Sequence, residues 1–487
     1  MSAEVTIQSS GSPQQRELDK AMDGIGVTAS HKKIILMIML GVMFDVFEQN
    51  AVGLVGPLLR EQWGISVAQI GFLNTLTFSA AALGRIGSGF IADHYGRRAM
   101  LNANLLLFTL GAIICALAPN YGVLAAGRFI VGIGLGGEIS IAVTMLAELC
   151  STRFRGTAVG LVSVGSGGLG NMLAPAFGLA VFAMFPGPDN WRWLFGCLVI
   201  PAFFVVFYRR FIPETPRFLL SKGRVDEANE VLSILASGKL GKLKGKPTQY
   251  VSGATQSEAP RPKVRLGDVF RGRLGRCTVA LGVAVSMTYG AQISVLTLMP
   301  TILISQGYTI SKSLLFTMVM QSGSLFGAIA ASYCGFHFRR KRVLTIGAGL
   351  ACAAGLCFGF LTYNIPLVLL FGACFTFCVV LLNTSIWIFA PEQYPTDVRA
   401  FGTSLILALG TLAGALTPLI SGRVFEAYGV GGMFSMLAAM YGVFAIAVQF
   451  APETFGRAMG EAANDEQPAP VAGEAAVGGP AASAVRA

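Results

Sequence analysis

About twelve stretches of this 487-residue chain run for some twenty residues or more with little charge, and that feature decides the solvent in which the chain folds. Crossing ~30 Å of hydrocarbon takes ~20 helical residues at ~1.5 Å each. The stretches are 33–59, 69–92, 98–118, 121–147, 155–184, 191–211, 274–304, 311–334, 341–362, 365–389, 397–423 and 429–451. With 54% apolar and only 13% charged residues, and a mean hydropathy of +0.64, the chain carries more apolar surface than a water-soluble fold buries. The expected fold is an all-α membrane protein: twelve transmembrane helices in two pseudo-symmetric six-helix bundles.

The net charge of +11 does not point to nucleic acid, because the basic residues fall in short clusters between apolar stretches. With an amino terminus inside, Arg97/Arg98, Arg153/Arg155, Arg209/Arg210 through Arg276, Arg339 to Arg342 and Arg399 all fall on the cytoplasmic side. The opposite side carries only Arg60, Arg192, Lys312 and Arg423. That asymmetry is the positive-inside rule, and one miscounted helix before any cluster would spoil it. Both termini are expected in the cytoplasm. The polar first thirty residues show no cleavable signal peptide. Short outer loops without a glycosylation site suggest a bacterial inner membrane.

The expected organisation is a cytoplasmic segment 1–32, a six-helix bundle 33–211, a linker 212–273, a second bundle 274–451 and a disordered tail 452–487. The linker opens with an amphipathic helix around Val225 to Leu235, then becomes a Gly/Lys/Ser/Pro-rich run, 237–262, not expected to build a core. An internal repeat supports the division. Ile212-Pro213-Glu214-Thr215-Pro216-Arg217 follows the sixth span and Ala451-Pro452-Glu453-Thr454-Phe455-Gly456-Arg457 the twelfth; Glu148 precedes Arg155 by the interval at which Glu392 precedes Arg399. Two parallel repeats with a site between them at mid-membrane is a transporter architecture.

Enzyme chemistry finds no support. His31, His94 and His337 sit at loops or helix ends and form no cluster with acids or cysteines; no nucleophile motif or metal-ligand spacing is present. The nine cysteines are scattered and read as small buried packers. No catalytic residue, metal site or cofactor is expected, the proton aside.

Gly89-Phe90-Ile91-Ala92-Asp93-His94-Tyr95-Gly96-Arg97-Arg98 resembles the loop signature between helices 2 and 3 of the major facilitator superfamily, and the resemblance runs from about Lys32 to Arg457. It implies a conformational latch made of Gly89, Asp93, Gly96, Arg97 and Arg98, with Glu148, Arg155, Glu392 and Arg399 at the matching junctions. The second-half counterpart, Gly335 to Arg340, lacks the aspartate, so its latch is expected to be weaker or differently built. The glycine-rich Gly127-Arg128 to Glu138 segment is similar to the fourth helix of sugar porters and their organic-acid relatives. It does not read as a dinucleotide fingerprint, because no strand precedes it. Phe44-Asp45-Val46-Phe47-Glu48 resembles the acidic pair of aromatic-acid:proton symporters and niacin-type transporters, with glutamate as the second acid.

A carboxylate at mid-bilayer costs several kcal/mol unless paired, protonated or facing a wet cavity, so Asp45, Glu48, Arg128 and Glu138 are the proton-coupling candidates. Asp45 and Glu48 share one helical face, ~4.5 Å apart along the axis. Glu48 and Arg128 fall at similar depths, ~16 and ~10 Å from the outer ends of their helices. The expectation is that Glu48 alternates between a proton and an ion pair with Arg128, with Asp45 and Glu138 completing the network; the alternative is a static ion pair holding two helices in register. Arg128, as the one arginine placed deep in a span, is also a substrate-binding candidate, with Tyr289, Gln292, Gln321, Asn383 and Trp387 from the second half.

The expected function is proton-coupled uptake of a small organic anion, most naturally an aromatic acid, by alternating access. The alternatives are a sugar or other metabolite:proton symporter and a proton-driven exporter. Expected partners are the organic-acid substrate, protons and membrane lipid, with no nucleic acid and a monomeric state.

Overall fold

The computed structural model describes residues 13–454, apart from 152–153, 210, 242, 244–245, 253–268, 271, 362–363 and 395. Most of the expected tail, 455–487, therefore lies outside the described residues.

Among the described residues every regular element is a helix. The first half supplies spans at Ala29–Trp63, Val67–Tyr95, Arg97–Ala116, Tyr121–Leu149, a fifth described below, and Asn190–Arg209. The second half supplies Gly272–Ser305, Ile310–His337, Arg340–Leu361 and Ile365–Glu392, followed by Thr396–Gln449. That last stretch has 54 residues, more than twice what one crossing needs, and it breaks at Gly429, whose φ of 67° and ψ of −163° are not helical. It is therefore the eleventh and twelfth spans, and the fold has twelve.

The spans overrun their expected limits where local caps hold them. The first span starts at Ala29, where the Thr28 N–H donates to His31 Nδ1 at 3.2 Å, and stops at Gly64, whose φ of 64° lets its N–H reach Arg60 O. The fifth span is not one regular helix: Arg155–Ser163 and Asn171–Met184 flank a π-helical turn, Val164–Gly170. A π turn is rarely stable on its own, and here the absence of side chains lets neighbours hold it. A Cβ on Gly165 or Gly170 would strike Met39 or Val46 of the first span, while one on Gly168 would press on Leu325 of the eighth. The glycine string thus seats the fifth span at the seam between the bundles.

The fourth span shows the same physics within the first bundle. A Cβ on Gly132 would lie 2.1 Å from Thr77 O, on Gly136 1.9 Å from Ala81 O, and on Gly134 2.6 Å from Asn104 O, so backbone meets backbone on two faces. Gly132→Ala forces the second and fourth spans apart and is expected to destabilise the fold by ~1–3 kcal/mol, read as a lower melting temperature of the detergent-purified protein.

The two bundles close on each other at the face away from the linker. There, Val67 N–H donates to Glu426 Oε1 at 2.8 Å, Asn74 Nδ2 to Thr297 Oγ1 at 2.5 Å, and Gly53 and Gly71 admit the backbones of Leu296 and Pro418.

On the linker face, helix Pro13–Ile25 packs against Val225–Ser237. The run after residue 237 departs from expectation in its described part. Val251 is fully buried with Leu18, Met22 and Leu232, and Asn229 Oδ1 accepts from the N–H groups of Tyr250 and Val251. Two apolar residues in a polar run find a core because the amino-terminal helix covers them. Glu17 ties that helix to Ser252, whose N–H and hydroxyl hold the Glu17 carboxyl below its ordinary range.

Candidate functional site

A cavity of about 120 Å³ lies between the bundles. The first half lines it from its first, second, fourth and fifth spans, through Val46, Arg85, Gly136 and Asn171 among others; the second half does so from its seventh, tenth and eleventh, through Tyr289, Trp387 and Thr411. The π turn of the fifth span contributes Ser166 and Gly167 to this wall, and Ser163 beside it bonds Thr384 across the seam at 3.1 Å.

Of the second-half candidates, Tyr289, Gln292, Asn383 and Trp387 line the cavity. They are held in pairs: Trp387 Nε1 donates to the Tyr289 hydroxyl at 2.8 Å and Asn383 Nδ2 to Gln292 Oε1 at 2.6 Å. The first pair fixes an aromatic wall; the second leaves Asn383 Oδ1 buried without a hydrogen-bond partner among the described residues, an acceptor at the cavity edge. Gln321 sits apart, accepting from Ser324 Oγ at 2.9 Å and facing a separate void of about 10 Å³ shared with Asn171 and Gln292.

The ionisable candidates of the first half lie inside its own packing. Asp45, Glu48, Arg128 and Glu138 are all buried, with Glu48, Arg128 and Glu138 fully so. Arg128 Nη1 meets Glu48 Oε1 at 2.5 Å, Nη2 reaches Glu48 O at 3.3 Å, and Nε donates to Thr77 Oγ1 at 3.2 Å. The Phe195 ring centroid, 5.9 Å from the guanidinium carbon, closes one side. Glu48 Oε2 is buried and makes no hydrogen bond among the described residues. The pair bridges the first and fourth spans, and Arg128 does not line the cavity.

The arginine that does line it is Arg85, which the sequence reading passed over. Arg85 lies inside the second stretch, 69–92, about seven residues from its expected end, ~10 Å deep. A charge inside a span was the available signal. Depth alone does not fix its direction, because a long arginine near a basic loop can also snorkel to the membrane surface. The structure turns it inward, where Nε donates to Gly136 O at 3.3 Å and Nη1 to Thr411 Oγ1 at 2.9 Å and Leu407 O at 3.5 Å.

At the linker face the sequence repeat becomes a repeated network. In the first half, Arg97 pairs with Glu148 at 3.4 Å, Glu214 accepts the N–H groups of Arg97 and Arg98 at 3.1 Å each, and the Thr215 hydroxyl donates to Glu148 at 2.6 Å. In the second, Arg340 pairs with Glu392 at 3.1 Å, Glu453 accepts the N–H groups of Arg340 and Lys341, and the Thr454 hydroxyl donates to Glu392 at 2.5 Å. A carboxylate at a helix amino terminus also meets the positive end of its dipole. The second half therefore builds the same Arg–Glu–Glu–Thr arrangement without the missing aspartate. Gly96 is required for it, because φ is 103° and a Cβ would sit 2.3 Å from Glu214 Oε2. The side chains of Asp93, Arg155 and Arg399, and the surroundings of Gly89, lie outside the described residues.

The family profile described as "Sugar (and other) transporter" matches residues 17–465. The niacin transporter NiaP of Acinetobacter baylyi is 27% identical over 445 residues, 91% of this chain and 99% of that protein. The gallate transporter of Pseudomonas putida is 28% identical over 425 residues, 85% of this chain and 90% of that one. Among solved structures, the partially occluded inward-open form of the xylose transporter XylE from E. coli matches with a TM-score of 0.71 at 17% identity, covering 88% of this chain and 100% of its own, a likeness of fold. Twelve spans in two repeated bundles, a cavity at their seam and a profile match across nearly the whole length lead to one statement: the chain belongs to the sugar (and other) transporter family of the major facilitator superfamily, as a multi-pass membrane transporter.

Proposed function

We propose that this transporter imports a small aromatic carboxylic acid together with a proton, across a bacterial inner membrane with its linker face in the cytoplasm. The observation that carries the reading is the buried pair of Glu48 and Arg128, joined at 2.5 Å between two spans of the moving bundle. The guanidinium offsets the charge of the carboxylate; drawing the two apart leaves that charge desolvated and uncompensated, and taking up a proton removes it. Proton occupancy and helix position are thereby linked, and a proton gradient biases which way the cavity faces. Asp45 and Glu138, buried in the same bundle, complete the polar path.

The substrate class rests on the cavity and the relatives. About 120 Å³ is below the volume range of drug-sized ligand sites and suits a single ring. The Tyr289 and Trp387 wall offers a face to stack on, and relatives named for niacin and gallate carry ring acids. The network at the linker face acts as the latch that opens and closes with rocking, and the orientation follows from the basic clusters on that face.

The test is uptake into liposomes holding the purified protein, with an imposed inward proton gradient and a panel of labelled benzoate-type, nicotinate-type, aliphatic-acid and sugar substrates. Accumulation of a ring acid that collapses with a protonophore is the expected result. Uptake of sugars alone removes the substrate assignment, and accumulation only under an outward gradient makes the protein an exporter.

A further inference from the structure

We infer that Arg85 is the carboxylate anchor of the substrate cavity, taking the anionic end of a single-ring aromatic acid whose ring lies toward the Tyr289–Trp387 wall. This rests on the organic-acid reading above and assigns the charge recognition to one residue.

Charges in a low-dielectric interior need counter-charges. Arg128 has its counter-ion in Glu48 and is sealed from the cavity. Arg85 stands on the cavity wall, and its bonds go to two backbone carbonyls and one threonine hydroxyl, all neutral. A guanidinium inside a membrane span is costly without an opposite charge, and among the described residues none of its bonds is to a carboxylate. Those bonds use Nε and Nη1; the two N–H donors of Nη2 have no protein acceptor among the described residues. The counter-charge that fits is one that arrives by way of the cavity: a carboxylate, whose planar pair of oxygens matches the fork of donors.

Position adds a second strand. Arg85 belongs to the second span, yet Nη1 reaches Thr411 and Leu407 of the eleventh, so an anion seated on it touches groups of both bundles at once. The aromatic pair opposite, joined at 2.8 Å, comes from the seventh and tenth spans. A ring acid with its carboxylate on Arg85 and its ring toward that pair spans the seam that rocking opens. A neutral ligand of the same shape gains the ring contacts and loses the charge term.

The experiment is equilibrium binding to the full-length protein in nanodiscs, comparing benzoate with benzamide and nicotinate with nicotinamide. Wild type is expected to prefer the acid in each pair. Arg85→Gln is expected to weaken the acids by about 10- to 150-fold, the range for a hydrogen bond to a charged group, and to leave the amides within about 3-fold, erasing the preference. Arg85→Lys, which keeps the charge without the fork, is expected to fall between the two, and it stands in should the glutamine variant fail to fold as judged by its melting curve. The anchor role is overturned if Arg85→Gln keeps the wild-type preference for acid over amide, or if it weakens acids and amides alike. Should wild type bind neither acid, the organic-acid reading falls and takes the anchor with it, an outcome distinct from a wild type that binds acids and an Arg85 variant that does so equally well.

Discussion

Glu48→Gln is expected to abolish accumulation of substrate against a gradient while leaving exchange down a gradient intact. Glutamine has nearly the shape of glutamate and still offers an oxygen to Arg128, so the hydrogen bond between the first and fourth spans survives, at some loss of stability because Arg128 keeps its charge without a counter-ion. What it cannot do is gain and lose a proton. In the wild-type protein one carboxylate oxygen meets Arg128 at 2.5 Å and the other is buried without a partner, which leaves a place for a proton when the pair separates. In the proposed cycle, loss of that exchange leaves the proton gradient no hold on the bundle, and only the substrate's own gradient drives rocking. In liposomes, the accumulation ratio under an imposed proton gradient should drop to about one, and the pH dependence of uptake should flatten, while counterflow of labelled for unlabelled substrate continues. Full uphill uptake with the wild-type pH profile would mean that the proton is carried elsewhere, with Asp45 and Glu138 as the next groups to test.

The second large effect concerns stability. Arg128→Ala strips Glu48 of its counter-ion in a fully buried setting and also removes the donor to Thr77. Breaking one side of a buried pair costs ~3–5 kcal/mol, because the remaining charge is left desolvated without compensation. The expected result is a sharp fall in the folded yield and melting temperature of the purified protein. Removing both charges at once, in Glu48→Gln with Arg128→Met, should restore most of that stability without restoring coupling, since a neutral, well-packed pair is often no worse than the ions it replaces. A single Arg128→Ala protein as stable as wild type would argue that water reaches the site and shares the charge.

These two results bear on one question, whether the pair is a moving part or a fixed strut. A strut predicts the stability loss alone. A moving part predicts the stability loss together with the uncoupling of Glu48→Gln.

Much of the architecture was legible along the chain because the signals are local. Whether a stretch can cross a bilayer depends on its own transfer free energy, and which side a loop takes depends on its own arginines and lysines. Twelve crossings followed from that, even where two spans run together through Gly429. The Pro-Glu-Thr repeat likewise announced a two-fold design, and the structure resolves it into Glu214 and Glu453 receiving the N–H groups that open the third and ninth spans. The Gly335 to Arg340 loop was harder to judge from its letters. Its missing aspartate suggested a different latch, but Arg340, Glu392 and Thr454 assemble the same contacts, because the geometry is set by where the helices end.

The sequence by itself determined the solvent, the number of crossings, the repeat and the presence of an acidic pair and an arginine at compatible depths. Only the tertiary structure decided that Glu48 and Arg128 meet inside the packing of the first bundle, that Arg85 faces the cavity, and that Val251 finds a core under the amino-terminal helix. The physical reason is that depth along a helix is a property of one segment, whereas the direction a side chain faces is settled by its neighbours. Here those neighbours approach through glycines such as Gly132 and Gly136, whose contacts lie some fifty residues away in the chain, at Thr77 and Ala81.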